Sequence, residues 1–160
     1  MKCRRRAAQS TMRWLRLATF EPMTRLALWA AALWWSSLGL IGFLVVPLLF
    51  ARLPTPAMAG NMAGGLFQAQ TWISLLCGLV LLISAQSRRL VPLALRSPTV
   101  FMFITGGMLL ALLSEFAVAP HILARENLRL WHGLGSAMFA LQFLFVSLVF
   151  WKLTQPAPVA

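Results

Sequence analysis

Glu115, His121 and His132 are the side chains whose types and spacing could do chemistry in this chain. They fall within "LSEFAVAPHILARENLRLWHG", residues 113–133. The sequence holds only three acidic residues and two histidines, and this segment gathers four of those five. A carboxylate beside an imidazole could move protons. The same groups could ligate a metal, and Met58 and Met62 add thioethers that, with imidazole, suit copper. Two histidines could hold a haem, but that needs them on facing helices at one depth. Equally, the groups could form structural hydrogen bonds. Glu115, His121, His132, Met58 and Met62 are thus the candidate metal ligands, and no cofactor is expected.

What must position these residues is apolar. The chain of 160 residues is 60% hydrophobic and 11% charged, with a mean hydropathy of +0.80. A soluble domain is about 45–50% apolar and about 25% charged. The excess is arranged in four long runs, at about 26–50, 66–85, 99–119 and 131–151. About 20 apolar residues suffice to cross a bilayer as a helix. Lipid satisfies no backbone group, so a span is a helix or part of a closed barrel. No period-2 alternation favours a barrel. The fold class expected is therefore all-α, a membrane-embedded four-helix bundle.

The formal charge of +11 does not point to nucleic acid, because the basic residues flank apolar runs. Lys2, Arg4, Arg5, Arg6, Arg13, Arg16, Arg25, Arg88, Arg89, Arg96 and Lys152 fall on one side. Only Arg52, Arg125 and Arg129 fall on the other. The positive-inside rule then puts both termini in the cytoplasm of an inner (plasma) membrane of bacterial type. Six of the seven tryptophans, Trp29, Trp34, Trp35, Trp72, Trp131 and Trp151, stand mostly near span ends, as an aromatic belt would. "AMA" at 57–59 resembles a leader-cleavage site, but the first run is far too long for a signal peptide's apolar region.

The organisation expected is a basic cytoplasmic segment over 1–25, the four-helix domain over 26–152 and a disordered tail over 153–160. Residues 10–20 fit either a basic helix lying on the inner leaflet or a disordered tail. Cys3 and Cys77 lie too far apart for a disulfide. No internal repeat is read.

Small residues let membrane helices approach. They predict packing faces at Ala32, Ser36 and Gly39 in helix 1 and at Gly107, Ala111, Glu115 and Ala119 in helix 3. Helix 2 offers Gln70, Ser74, Cys77, Leu81 and Ser84; helix 4 offers His132, Ser136, Ala140 and Phe143. Helix 3 thereby turns Glu115 toward other helices. A charged acid at a helix centre costs roughly 3 kcal/mol on insertion scales, so it needs partners. Counting turns puts Pro47, Gln70, Glu115, His132 and Ser136 in one layer near the outer face, with Arg52 just past it. Glu115 is expected to accept from Gln70 and His132, or to pair with Arg52. In the outer loop, Glu126 and Arg129 could pair at i, i+3.

Three stretches carry a family resemblance over roughly residues 26–152: "PLLFARLPTPAMAGNMAGGLF" at 47–67, "APHILARE" at 119–126 and "LRLWHGLGSAM" at 128–138. They resemble small four-helix membrane proteins of unknown function similar to eukaryotic transmembrane protein 205. The resemblance implies a multi-pass membrane protein, with Pro47, Phe50, Gly60, Gly64, Phe67, Pro120, His132, Gly133 and Ser136 at family-type positions. Gly135 and His121 depart from that pattern.

No Ser/His/Asp set, paired carboxylates, phosphate-binding loop or metal-hydrolase motif is present, so no enzymatic role is expected. A structural or accessory role is the reading adopted. The alternative is transport of, or resistance to, a small solute or metal ion through the outer polar cluster. Against a full path, the inner half offers only Ser84, Thr105 and Ser147. The expected partners are the lipid bilayer and either further copies of the chain or another membrane protein.

Overall fold

A computed structural model describes residues 22–86, 95 and 97–155. The basic segment up to residue 21, Arg88, Arg89, Arg96 and the last five residues of the tail lie outside the described residues, so the orientation argument rests on sequence.

Four helices follow one another. Helix α1 is an α-helical stretch, Pro22–Leu40, then a π-helical turn, Ile41–Val45, then Val46–Arg52. Helix α2 spans Pro56–Gln86. Helix α3 is built like α1: Pro98–Leu113, a π-helical turn Ser114–Val118, then Ala119–Leu123. Helix α4 spans Leu128–Thr154. Each is long and apolar enough to cross a membrane.

The helices outrun the apolar runs. The largest difference is in α2, which begins at Pro56 rather than near 66. "PAMAGNMAGG" reads as a loop because of its proline and glycines. Yet Pro56 stands at the first helical position, where its missing N–H costs nothing. The Thr55 Oγ1 accepts the Met58 N–H (3.3 Å), capping the start. Glycine is also better tolerated in membrane helices than in soluble ones.

Prolines explain the π turns. Pro47 and Pro120 each stand second in the α-helical stretch after a π turn. A proline ring collides with the carbonyl four residues back and has no N–H to give. In the wider turn before each, the bond spans five residues: Val46 N–H to Ile41 O, and Ala119 N–H to Ser114 O.

Three-residue and four-residue connections turn α1 into α2 and α3 into α4, giving two antiparallel hairpins. Helix α1 packs on α2 and α4, and α3 packs on α2 and α4. So α1 and α3 stand at diagonal corners. At the centre Trp34, Leu38, Leu81, Ile104, Val146 and Val149 are fully buried. Small residues line much of the remaining interior (Ala27, Ala31, Ser74, Ala111), while Trp29, Phe43, Trp72, Met102, Phe116 and Trp151 face outward. Large apolar groups outside and small ones inside is the pattern lipid favours.

An aromatic seam joins α1 to α4. The Trp35 ring stacks on Phe150 (5.3 Å) and Phe143 (6.2 Å), and its Nε1 donates to Ser147 Oγ (3.0 Å).

Two expected packing faces are corrected. In α1 the buried row is Ala27, Ala30, Ala31, Trp34 and Leu38, and Ser36 is exposed. In α4 the buried row is Gln142, Val146 and Val149, while His132, Ser136 and Ala140 face outward. Residue size misleads in both: Trp34 fills the core, and amide chemistry draws Gln142 inward.

Candidate functional site

The polar side chains of the membrane interior fall into two groups, and the division differs from the single outer layer expected. The deeper group lies at the midpoints of three helices. Gln70 (3% exposed) and Ser74 (0%) come from α2, Gln142 (3%) from α4 and half-buried Ser37 from α1. Gln142 Nε2 donates to Ser74 Oγ (3.1 Å). Gln70 Nε2 lies within reach of Ser37 Oγ (3.1 Å) and Ser74 Oγ (3.3 Å). Ser74 Oγ in turn donates to the Gln70 carbonyl (2.8 Å), and Ser37 Oγ to the Trp34 carbonyl (3.0 Å). Serine at i+4 returns its proton to the helix backbone, which leaves its lone pairs free for two amides. The node thereby ties α1 and α4 to α2. Gln70 Oε1 and Trp34 Nε1 are buried without a partner among the described residues.

The second group lies toward the helix ends next to the 53–55 and 124–127 connections and is dispersed. Glu115, half-buried in the π turn of α3, accepts from Gln68 Nε2 (3.2 Å) across the α2–α3 groove. Its expected partner Gln70 belongs to the midplane node instead. The cause is the early start of α2. Gln70 stands fourteen residues into the helix, about 21 Å at 1.5 Å per residue, and two residues along a helix change direction by about 200°. Arg52, His132 and Ser136 are exposed, and none makes a hydrogen bond or ion pair with Glu115. The stripe Gly107, Ala111, Glu115, Ala119 holds for its first two members, which are buried. Beyond them the π turn changes the phase and Val118 is buried instead.

His121 forms a separate unit. Its Nδ1 lies 2.7 Å from Glu126 Oε2, and its ring stacks on Trp131 with centroids 4.0 Å apart. The expected pairing of Glu126 with Arg129 is replaced by this one. The reason is local: Arg125 (φ 57°) and Asn127 (φ 31°) are left-handed. Glu126 between them is outside any helix, so an i, i+3 helical relation does not exist. Asn tolerates that region; Arg is placed there at some cost.

The candidate metal ligands are not brought together. Met58 and Met62 sit exposed on the first turns of α2. His121 pairs with Glu126 rather than with His132 or Glu115. Among the described residues, no three His, Cys, Asp or Glu side chains are grouped to hold an ion. His121, at the end of α3, stacks on Trp131, and His132 is exposed near the start of α4. Cys77 is a buried free thiol.

Among family-type positions, Phe67 meets Phe139 edge-on (5.4 Å), while Phe50, Gly64, His132, Gly133 and Ser136 are exposed. Pro47 and Pro120 are the prolines after the π turns. Sequence reasoning missed Gln142, Gln68 and Ser37, which are amides and a hydroxyl within apolar runs, the signal that could have found them.

Neither the curated proteins nor the solved structures include a match to this chain. A family profile, by contrast, matches residues 29–130, from the second turn of α1 into the first turn of α4. The four apolar helices and this match together make the protein a multi-pass membrane protein that belongs to the family described as Domain of unknown function (DUF4149).

Proposed function

We propose that the protein is a structural or accessory component of a bacterial-type inner membrane, with both termini cytoplasmic and no catalytic reaction of its own. The observation that carries this reading is the midplane node. The buried Gln70, Ser74 and Gln142 are spent on holding α2 to α1 and α4 rather than on lining a path. The outer groups are dispersed and mostly exposed, so nothing converges on a reacting atom. Similarity to the transmembrane protein 205 relatives, and the use of Pro47, Pro120 and the Gly60–Phe67 stretch as family features, belong to this proposal. So does contact with further copies or another membrane protein.

A second reading, passage of a small solute or metal ion, is favoured by one observation. Glu115 keeps a carboxylate at lipid depth with a single 3.2 Å donor, Gln68, and intramembrane acids often mark pathways. Glu115→Gln separates the two. Under the structural reading, a strain whose only copy is Glu115→Gln matches wild type in growth, including under copper and zinc stress, and yields equal folded protein. Normal folded yield with a deletion-like growth defect would overturn the structural reading and support passage.

A further inference from the structure

The two hairpins repeat one another at an offset of 73 residues. The π turn Ile41–Val45 and the π turn Ser114–Val118 fall at that spacing. So do the prolines, Pro47 and Pro120. Aligned at this offset, "FLVVPLLFAR" (43–52) and "FAVAPHILAR" (116–125) share Phe, Val, Pro, Ala and Arg at matching positions. On α2 and α4, "WISLL" (72–76) meets "FVSLV" (145–149), with Ser74 on Ser147. Gly60 falls on Gly133.

In the first helices burial follows the same offset, whereas in the second helices the buried rows match at 72, Gln70, Ser74 and Cys77 against Gln142, Val146 and Val149. The buried residues of the first stretch of α3 are Val100, Ile104, Gly107 and Ala111. Their counterparts in α1 are Ala27, Ala31, Trp34 and Leu38, all buried. The neighbour relations are those of a two-fold: α1 and α3 are diagonal, and each copy's first helix touches the other copy's second. One pair locates the axis. A Cβ on Gly107 would lie 3.2 Å from the Trp34 ring. Equivalent residues touch each other only at a two-fold axis, and here the largest side chain meets the smallest.

We propose that the chain is a tandem duplication of a two-helix hairpin, residues 25–80 and 98–153, packed about a pseudo-two-fold axis along the bundle at Trp34–Gly107. The partner surface of each hairpin is thus a surface made to receive a hairpin like itself. Parallel repeats related by an axis along the membrane normal are a known way to build membrane bundles. Where the copies differ is informative. At the outer ends the second copy carries Glu115, His121, Glu126, Arg129 and His132 where the first has Gly42, Leu48, Leu53, Pro56 and Ala59. The copies share the buried face of their first helices and one rim arginine, Arg52 and Arg125, while the acidic and histidine groups of that rim belong to the second copy.

Two experiments on the full chain test the duplication. Trp34→Gly and Gly107→Trp are made singly and together, with the folded-to-unfolded ratio measured in detergent micelles. Each single change lowers the ratio more than about tenfold, and the double change recovers at least about tenfold over the product of the singles. A double that equals that product overturns the axis. Because both singles could abolish folding outright, a second measurement exchanges residues 43–52 with 116–125. The exchange in register keeps a folded bundle, and the same exchange shifted by one residue does not. Equal outcomes for the two exchanges overturn the duplication.

Discussion

Removing the Ser74 hydroxyl is the sharpest probe of the midplane. Ser74→Ala takes away the acceptor of Gln142 Nε2 (3.1 Å) and of one Gln70 hydrogen (3.3 Å). An interhelical hydrogen bond in a membrane protein is worth about 0.6 kcal/mol on average and about 1.7 at most. Leaving a buried amide without an acceptor adds about 1–3 kcal/mol before relaxation. Ser74 is fully buried, so water cannot readily replace the lost group. The expected cost is about 1–2 kcal/mol. Gln142→Leu removes the same bond but leaves no orphaned amide, so it should cost less, about 0.5–1 kcal/mol. With Leu at 142, Ser74→Ala no longer strands that amide. The double change should therefore be less damaging than the sum of the singles by about 1 kcal/mol. SDS titration of the protein in mixed micelles, followed by tryptophan fluorescence, reads all four forms. Additivity within about 0.3 kcal/mol would mean that Gln142 and Ser74 are neighbours without being partners, and the account of the node would fail.

Three further outcomes are expected. Trp35→Phe keeps an aromatic ring against Phe150 and Phe143 but loses the 3.0 Å bond to Ser147. It should cost about 0.5–1.5 kcal/mol in the same titration. Gly42→Leu should cost about 1–3 kcal/mol, because a Cβ there would lie 2.5 Å from Phe139 Cε1 and that ring is already held by Phe67; an unchanged midpoint would show that Phe139 moves freely. His121→Ala removes a contact whose side chains are 42% and 61% exposed, so it should shift stability by less than about 1 kcal/mol.

The existence of four spans was legible because it depends only on summed hydropathy. The start of α2 was not legible, since "PTPAMAGNMAGG" carries loop residues that lipid and a Thr55 cap let continue as helix. That error displaced Gln70 in depth by several turns and assigned it to the wrong partner. The helix-2 stripe from Gln70 to Ser84 is a buried row, because there polar and small residues coincide at helical spacing. In α4 they do not coincide: the small residues face outward and Gln142 faces in. The repeat escaped notice because its shared residues are few. It becomes visible once two π turns and four buried positions fall at one spacing.

The two π turns bear on how the bundle would take a load. After each turn, Val46–Arg52 and Ala119–Leu123 are short end segments joined to the main shaft by a turn whose hydrogen bonds are longer in span. Both soft points sit on helices with the same direction, at diagonal corners, and the midplane hydrogen bonds lie deeper. A bilayer that thins at the face these two segments reach would load them before it strained Ser74 and Gln142. Both segments end on the same side of the bundle as Glu126, Arg129 and His132.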